Sequence, residues 1–251
     1  MRLKTSPRVI PTYPRHCLGY NKAMSLRSIP FSIDEYYHIF NRGIDKRLVF
    51  LDIGDKKRFM RLLYLCNGSS PIVYKETKNL PLPSIETGTK LVAIGAYCLM
   101  PNHFHILVKE IGEGGTTKFM SKLLTAYSSY FNKKYDRNGA LFGSKFKSSH
   151  LDTDEYLKYI YSYIHLNPIA LLDPRWKQIE LNKDKVDDFL NGYKECSYLD
   201  YGSEGREESC ILNKLAFPEY FTNPNEFKEN LFSWLSQLSK AMPWTTVDNV
   251  D

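Results

Sequence analysis

The chain has 251 residues, a net charge of +6 and 14% aromatic residues, with 18 tyrosines. This length allows one sizeable core with a small appendage, and no apolar run approaches the ~20 residues that a membrane-spanning helix needs. Five widely spaced cysteines without a Cys-x-x-Cys pair argue against a disulfide framework or a zinc ribbon, and indicate a cytoplasmic protein.

Hydrophobic periodicity predicts an α+β chain. A first strand covers Tyr36–Phe40, and a helix that begins at Asp55 and ends in an αL cap at Asn67-Gly68 follows it. After a proline-rich loop over residues 69–90, the later elements complete a ferredoxin-like sandwich with an antiparallel sheet. The predicted elements are a strand at Lys90–Leu99, a strand at His103–Lys109, a long helix at Thr117–Tyr135, an extended segment at Leu141–Asp152, a helix at Thr153–Asn167 and a helix from Pro224 onward. The helix that starts at Thr153 ends or kinks at Asn167, because a residue before proline is pushed away from α geometry.

The charge is unevenly distributed along the chain. Residues 1–61 carry a net charge of +8, residues 62–180 carry +4 and residues 181–251 carry −6. A basic body with an acidic tail is typical of a polyanion-binding domain with a separate C-terminal segment, although scattered solvated charges would also explain it. We therefore predict a flexible basic extension over residues 1–28, a main domain over residues 29–180 and an acidic, mainly helical segment beyond.

His103 and His105 lie in the segment AYCLMPNHFHILVKE. Side chains two residues apart on a strand point to the same face, so both imidazoles project together. Two converging neutral imidazoles supply two ligands of a metal site. An isolated pair of this kind is more often two unrelated core or surface histidines, so a second element has to supply the rest.

Tyr163 and Asn167 supply such an element, because a spacing of four places both side chains on one helix face. A divalent ion held by His103, His105 and the Asn167 amide would polarise a phosphate, and Tyr163 would then attack phosphorus. Imidazole ligands favour Mn²⁺ in affinity, while availability favours Mg²⁺.

The same helix carries other candidates. Tyr156 and Tyr159 lie near the face of Tyr163 and are rival nucleophiles, and tyrosines at helical spacing are more often packing residues. His165 points about 200° away from Tyr163, which favours a structural or DNA-facing role over a ligand role. His38, on the first strand, receives no role.

Four segments occur in order along the chain: HIFNRG, YCLMPNHFHILV, LFGSKFKS and YSYIHLNPIALL. Together they resemble the single-tyrosine HUH transposases, in the branch called REP-associated tyrosine transposases, over roughly residues 34–202. The family's paired-histidine motif falls on His103 and His105, and its Tyr-x-x-x-Asn motif falls on Tyr163 and Asn167. The loop over residues 69–90 and the N-terminal extension depart from the family pattern.

The resemblance implies a catalytic domain over residues 29–180 that cleaves and rejoins single-stranded DNA, with hairpins as typical targets. Such enzymes form a 5′-phosphotyrosine link and release a free 3′-OH, with a divalent metal, Mg²⁺ or Mn²⁺, as cofactor. It implies a cytoplasmic protein that is nucleoid-associated when bound to DNA, as a monomer or a homodimer, without a membrane partner.

Arg42, Lys145, Lys147 and His150 are the predicted DNA contacts. Arg42 is part of the family pattern. A contact to a phosphate and a role in stabilising the turn explain it equally well. Lys145, Lys147 and His150 follow the long helix on an extended segment, which suits contacts to backbone phosphates, although a solvated edge strand explains them equally well.

Other functions compete with the strand-transferase interpretation. A protein derived from a transposase that binds DNA or RNA hairpins without cutting would keep the fold but would not need the four site residues. A replication initiator or relaxase of the wider HUH group usually carries a larger partner domain, for which the acidic tail leaves no room. A metal-dependent phosphohydrolase is the weakest alternative, because it would need an acidic two-metal cluster and the sequence near the histidines has none.

Overall fold

The computed structural model describes residues 30–241 apart from residues 72, 203, 204 and 222, so the predicted extension over residues 1–28 lies outside it. Four strands form one antiparallel sheet in the order β2-β3-β1-β4. The strands are β1 Tyr36–Arg42, β2 Val92–Met100, β3 His103–Glu110 and β4 Lys147–His150. The helices are α1 Ile53–Cys66, α2 Tyr74–Thr77, α3 Gly115–Lys134, α4 Asp154–Leu166, α5 Lys183–Gly192, α6 Tyr198–Gly202 and α7 Pro224–Ala241.

The chain runs β1-α1-β2-β3-α3-β4 through this sheet, with α2 in the loop before β2. That connectivity and strand order are those of the ferredoxin-like sandwich. The predicted α+β class with an antiparallel sheet is confirmed. The predicted loop over residues 69–90 contains α2 and a short 3₁₀ turn at Leu82–Ser84.

Strand β3 separates two hydrophobic cores. Phe104, Ile106 and Val108 point into a core formed with α1 and α3. Leu107 points into the opposite core, which α4, α5 and α7 cover. His105 shares the face of Leu107, because alternate residues of a strand project to the same side. The candidate ligands therefore face α4 rather than α1 and α3.

Helix α1 begins at Ile53, two residues before the predicted start at Asp55. Asp52 is the N-cap: its Oδ1 accepts a hydrogen bond from the N–H of Asp55 at 2.9 Å, and Asp55 accepts one from the N–H of Asp52. This reciprocal pairing is a capping box, and it satisfies N–H groups that the first turn leaves open. Lys134, at the end of α3, bonds both carboxylates and ties the two helices together.

The end of α1 corrects the predicted αL cap. Asn67 has φ −77° and ψ 0°, in the right-handed region, and its side chain bonds the next strand. Its Oδ1 accepts hydrogen bonds from the N–H groups of Leu91 and Val92, and its Nδ2 donates to the Val92 carbonyl at 3.0 Å. Gly68 is needed for space rather than for a left-handed turn, since a Cβ there would lie 2.0 Å from the Thr87 carbonyl oxygen.

Helix α4 begins where it was predicted, with Thr153 as N-cap; its Oγ1 accepts from the N–H of Tyr156 at 3.2 Å. The regular α-helix ends at Leu166, but Asn167 keeps helical angles of φ −54° and ψ −37°. The predicted end of the helix at Asn167 is therefore confirmed, but Asn167 itself stays in α geometry, contrary to the reason given for it. The chain continues as a 3₁₀ turn over Asn167–Leu171, where Pro168 occupies a first-turn position that needs no N–H donor.

The C-terminal region packs on the same sheet face as α4. Phe227, Leu231 and Leu235 of α7 are buried there, as the predicted helix from Pro224 requires. The boundary at residue 180 stays a prediction, since side chains on both sides of it share one core. No helix among the described residues is both long and apolar enough to cross a membrane.

The Asn67 side chain offers a test of how α1 is joined to β2. Asn67→Ala leaves buried N–H and carbonyl groups of Val92 without their partner, so we expect the free energy of unfolding to fall by about 2 kcal/mol. Asn230→Ala is the matched control, because its Nδ2 bonds the Glu226 carbonyl on the exposed side of α7; we expect a change within about 0.5 kcal/mol. Urea denaturation measures both, and equal effects would contradict this role of Asn67.

Candidate functional site

His103 and His105 are brought together on the inner face of β3. Their ring centroids lie 4.9 Å apart, and the side chains are 3% and 1% exposed. Burial of a charged imidazole is costly, so such a pair is stable in the neutral form, which is the form that binds metal ions.

The hydrogen bond of His103 fixes its tautomer. The Nδ1 of His103 lies 2.6 Å from the amide oxygen of Asn102, and a carbonyl oxygen can only accept. Nδ1 therefore carries the proton, and the lone pair resides on Nε2. The Nδ2 of Asn102 donates to the Lys46 carbonyl, which orients the amide.

The His105 ring is hydrogen-bonded to the His38 ring. The Nδ1 of His105 lies 2.9 Å from the Nε2 of His38, and one nitrogen donates to the other. Burial lowers the pKa of His38 to about 3. The pKa of His105 is also well below its usual range, first because of burial and then because of the nearby His103, His38 and Lys177. When His105 donates from Nδ1, its Nε2 is free to bind a metal.

Helix α4 places Tyr163 over His38 and His105, and Asn167 lies one turn after Tyr163. The Tyr163 ring is 6% exposed and meets the His105 ring edge-on, with 5.3 Å between centroids. It meets the His38 ring in the same manner at 6.1 Å. Asn167 follows one turn later and is 4% exposed, and its N–H bonds the Tyr163 carbonyl.

The donor set fits a divalent metal. Within the described part of the chain, His105 Nε2 and Asn167 Oδ1 are buried atoms without a hydrogen-bond partner, and such atoms are costly unless something binds them. The described residues contain no cluster of three or more His, Cys, Asp or Glu side chains placed to hold a metal. The candidate set instead consists of two imidazoles and one amide, which leaves coordination positions for water and phosphate.

The rival tyrosines form a row on α4 that leads away from the histidines. Tyr159 stacks on Tyr163 with 6.1 Å between centroids, and Tyr156 stacks on Tyr159 at 6.4 Å. Trp234 of α7 packs against Tyr159. The ring contact with His105 distinguishes Tyr163 as the candidate nucleophile.

His165 is a core residue. It is 0% exposed, and its two nitrogens bond the Tyr161 carbonyl and the Ser197 hydroxyl, both at 2.8 Å. Burial lowers its pKa to about 3. The predicted structural role, rather than a ligand role, agrees with this placement.

Two of the predicted DNA contacts lie on the histidine face. Arg42 is the direct cross-strand partner of His103, and Lys147 is that of Phe40, which in turn is paired with His105. The Nε of Arg42 is buried and has no hydrogen-bond partner in the described part of the chain. Both cations therefore lie on the same face of the sheet as the candidate ligands.

The other two predicted contacts lie elsewhere. His150 is paired with Tyr37, which belongs to the core under α1 and α3, so it points away from the histidine face. Its Nε2 bonds Glu35 at 2.8 Å. Lys145 is exposed in the segment before β4, and its carbonyl accepts a hydrogen bond from the Asn41 amide.

Sequence reasoning missed three residues at this site: His38, Asn102 and Lys177. The Nζ of Lys177 lies 5.0 Å from the centroid of the Tyr163 ring. His38 carried a signal in its alternation along β1, but only the pairing of β1 with β3 places it on His105. Lys177 follows α4 in an irregular segment, and no sequence pattern indicates its position.

Comparison with known proteins gives one family match. Residues 85–167 match the family model described as "Transposase IS200 like". The matched segment contains all four of the candidate residues His103, His105, Tyr163 and Asn167. Over this segment, the match agrees with the predicted relationship to single-tyrosine transposases.

Among solved structures, the chain is similar to a REP-associated tyrosine transposase bound to a REP hairpin. The identity is 13% and the TM-score 0.37, over 59% of this chain and 74% of that chain. No curated protein matches the chain in sequence.

The His38–His105 hydrogen bond generates a test of metal affinity. His38→Ala removes the group that orients His105, and we expect Mn²⁺ affinity to fall by about 10- to 100-fold. His38→Gln keeps an acceptor oxygen and should retain most of the affinity. Calorimetric titration with Mn²⁺ measures both, with thermal melting as the check on folding. Wild-type affinity in a folded His38→Ala protein would contradict the positioning role.

Proposed function

We propose that this chain, whose residues 85–167 match the model of IS200-like transposases, is a metal-dependent transposase that cleaves and rejoins single-stranded hairpin DNA. The observation that supports this proposal most directly is the edge-on contact between the Tyr163 and His105 rings, whose centroids lie 5.3 Å apart. It places a phenol, a group that can act as a nucleophile, beside two imidazoles of the kind that bind metal ions.

In the proposed reaction, the phenolic oxygen of Tyr163 attacks the phosphorus of a DNA phosphodiester. A P–O bond to Tyr163 forms, and the bond between phosphorus and the 3′ oxygen breaks. The proton lost by the phenol is balanced by the proton gained on the departing oxygen, which becomes a 3′-OH. The 5′-phosphotyrosine keeps the energy of the broken bond, so a second 3′-OH rejoins the strand by the reverse step.

His103, His105 and Asn167 would hold the metal, Mn²⁺ or Mg²⁺. When bound, it supplies a Lewis acid that polarises the phosphate and favours its reaction with Tyr163. Asn102 and His38 hold the two imidazoles in the tautomers that direct lone pairs into the site.

Arg42 and Lys147 would bind phosphates next to the reacting one. They lie on β1 and β4, to one side of the histidines, on the sheet face that carries the site, and cations of this kind position a strand without reading its sequence. Lys145, which is exposed, would contact the strand farther from the site, whereas His150 points to the opposite face of the sheet and bonds Glu35, so we give it no DNA contact. The basic charge of residues 1–180 adds long-range attraction for DNA.

The nucleophile assignment predicts a loss of covalent linkage without a loss of binding. Tyr163→Phe removes only the hydroxyl, so we expect no DNA adduct on a denaturing gel. We expect hairpin affinity in a gel-shift assay to stay within about threefold of wild type, because phosphate contacts dominate it. Tyr159→Phe is the matched control, from the next turn of the same helix, and should form the adduct. An adduct at wild-type level with Tyr163→Phe would exclude this tyrosine.

The metal assignment predicts that each histidine is required for cleavage supported by Mn²⁺. His103→Ala or His105→Ala removes one of three ligands, and we expect the cleavage rate to fall at least about 100-fold. Hairpin affinity measured without metal serves as the internal control for folding. Cleavage at the wild-type rate in either variant would rule out the proposed metal site.

A further inference from the structure

Lys177 places an ammonium group beside the candidate nucleophile. Its Nζ lies 5.0 Å from the centroid of the Tyr163 ring and 5.3 Å from that of Trp176. Trp176 is 2% exposed and anchors this segment in the core beneath α4. The neighbouring lysine, itself only partly buried, is therefore held at the edge of the site by a fixed backbone.

This position places the ammonium group over two aromatic faces, which stabilise a cation. The Tyr163 ring in turn meets the His105 ring edge-on, with 5.3 Å between centroids. A phosphate that Tyr163 attacks would therefore come close to the ammonium group of Lys177, and opposite charges attract strongly where water is scarce.

We propose that Lys177 is a catalytic residue whose ammonium group binds a non-bridging oxygen of the phosphate that Tyr163 attacks. The proposal rests on the proposed function and adds to it a residue outside the matched segment 85–167. Lys177 donates a hydrogen bond to the phosphoryl oxygen and stabilises the negative charge that gathers there as the phenolic oxygen approaches. Lys177 gives up no proton in this step.

The experiment measures single-turnover adduct formation and DNA binding on the full chain. The probe is a hairpin oligonucleotide from the DNA that flanks the protein's own coding region, with Mn²⁺. The variants are Lys177→Gln, Lys177→Arg and, as a control for general loss of positive charge, Arg175→Gln. Arg175 lies two residues away, with 70% of its side chain exposed and paired with Asp173.

We expect Lys177→Gln to slow adduct formation about 100-fold, the effect of losing one donor to a developing oxyanion. Lys177→Arg should restore a substantial part of the rate, because it returns a cationic donor, and Arg175→Gln should match wild type. A rate for Lys177→Gln within about threefold of wild type would overturn the proposal, since the loss of a donor to a developing oxyanion slows a reaction far more than that.

A binding measurement separates this contact from a structural role. In the Tyr163→Phe protein, an uncharged methylphosphonate at the mapped cleavage position should weaken hairpin binding about tenfold, as loss of a charge-assisted hydrogen bond does. With Lys177→Gln added, the same substitution should have no further effect. Equal weakening with and without Lys177 would overturn the contact. Failure of wild type to form any adduct would instead overturn the proposed function, and the role of Lys177 with it.

Discussion

Strand β3 is buried on both faces, and its pairing with β1 and β2 decides which side chains meet which layer. In the observed register, Phe104, Ile106 and Val108 complete the core under α1 and α3. The same register turns the two histidines toward α4. A slip by one residue would reverse both assignments and bury imidazoles among aromatic rings. The apolar residues of β3 thus stabilise the orientation on which the site depends.

The site itself combines neutral buried imidazoles with cations at its margin. Burial keeps His38 and His105 uncharged, while Arg42 and Lys177 stand beside the same face. Burial is the main cause of the low pKa of His105, and His103, His38 and Lys177 lower that pKa further. An arrangement of this kind favours an anion as ligand, and a phosphodiester has the required charge and oxygen atoms. The cations beside this face and the family match over residues 85–167 both agree with the proposed DNA substrate.

The parts of the site that were predictable from the sequence are those set by local periodicity. The alternation of side chains along a strand places His103 and His105 on one face, and the period of a helix places Asn167 one turn after Tyr163. His38 could not be assigned, because its role depends on the pairing of strands that lie 67 residues apart in the chain. Lys177 depends on the path of an irregular segment. The hydrogen bonds of Asn67 likewise override the local cap signal that its sequence carries.

The most direct test of the central claim is to locate the covalent bond to DNA. The protein would be incubated with the flanking hairpin DNA and Mn²⁺, digested with protease and nuclease, and its nucleotide-bearing peptide sequenced by mass spectrometry. The structure predicts that the phosphate is attached to Tyr163. Attachment to Tyr156 or Tyr159, which stack in the same row on α4, would contradict the assigned site. Tight hairpin binding without any adduct would contradict the proposed strand-transfer reaction.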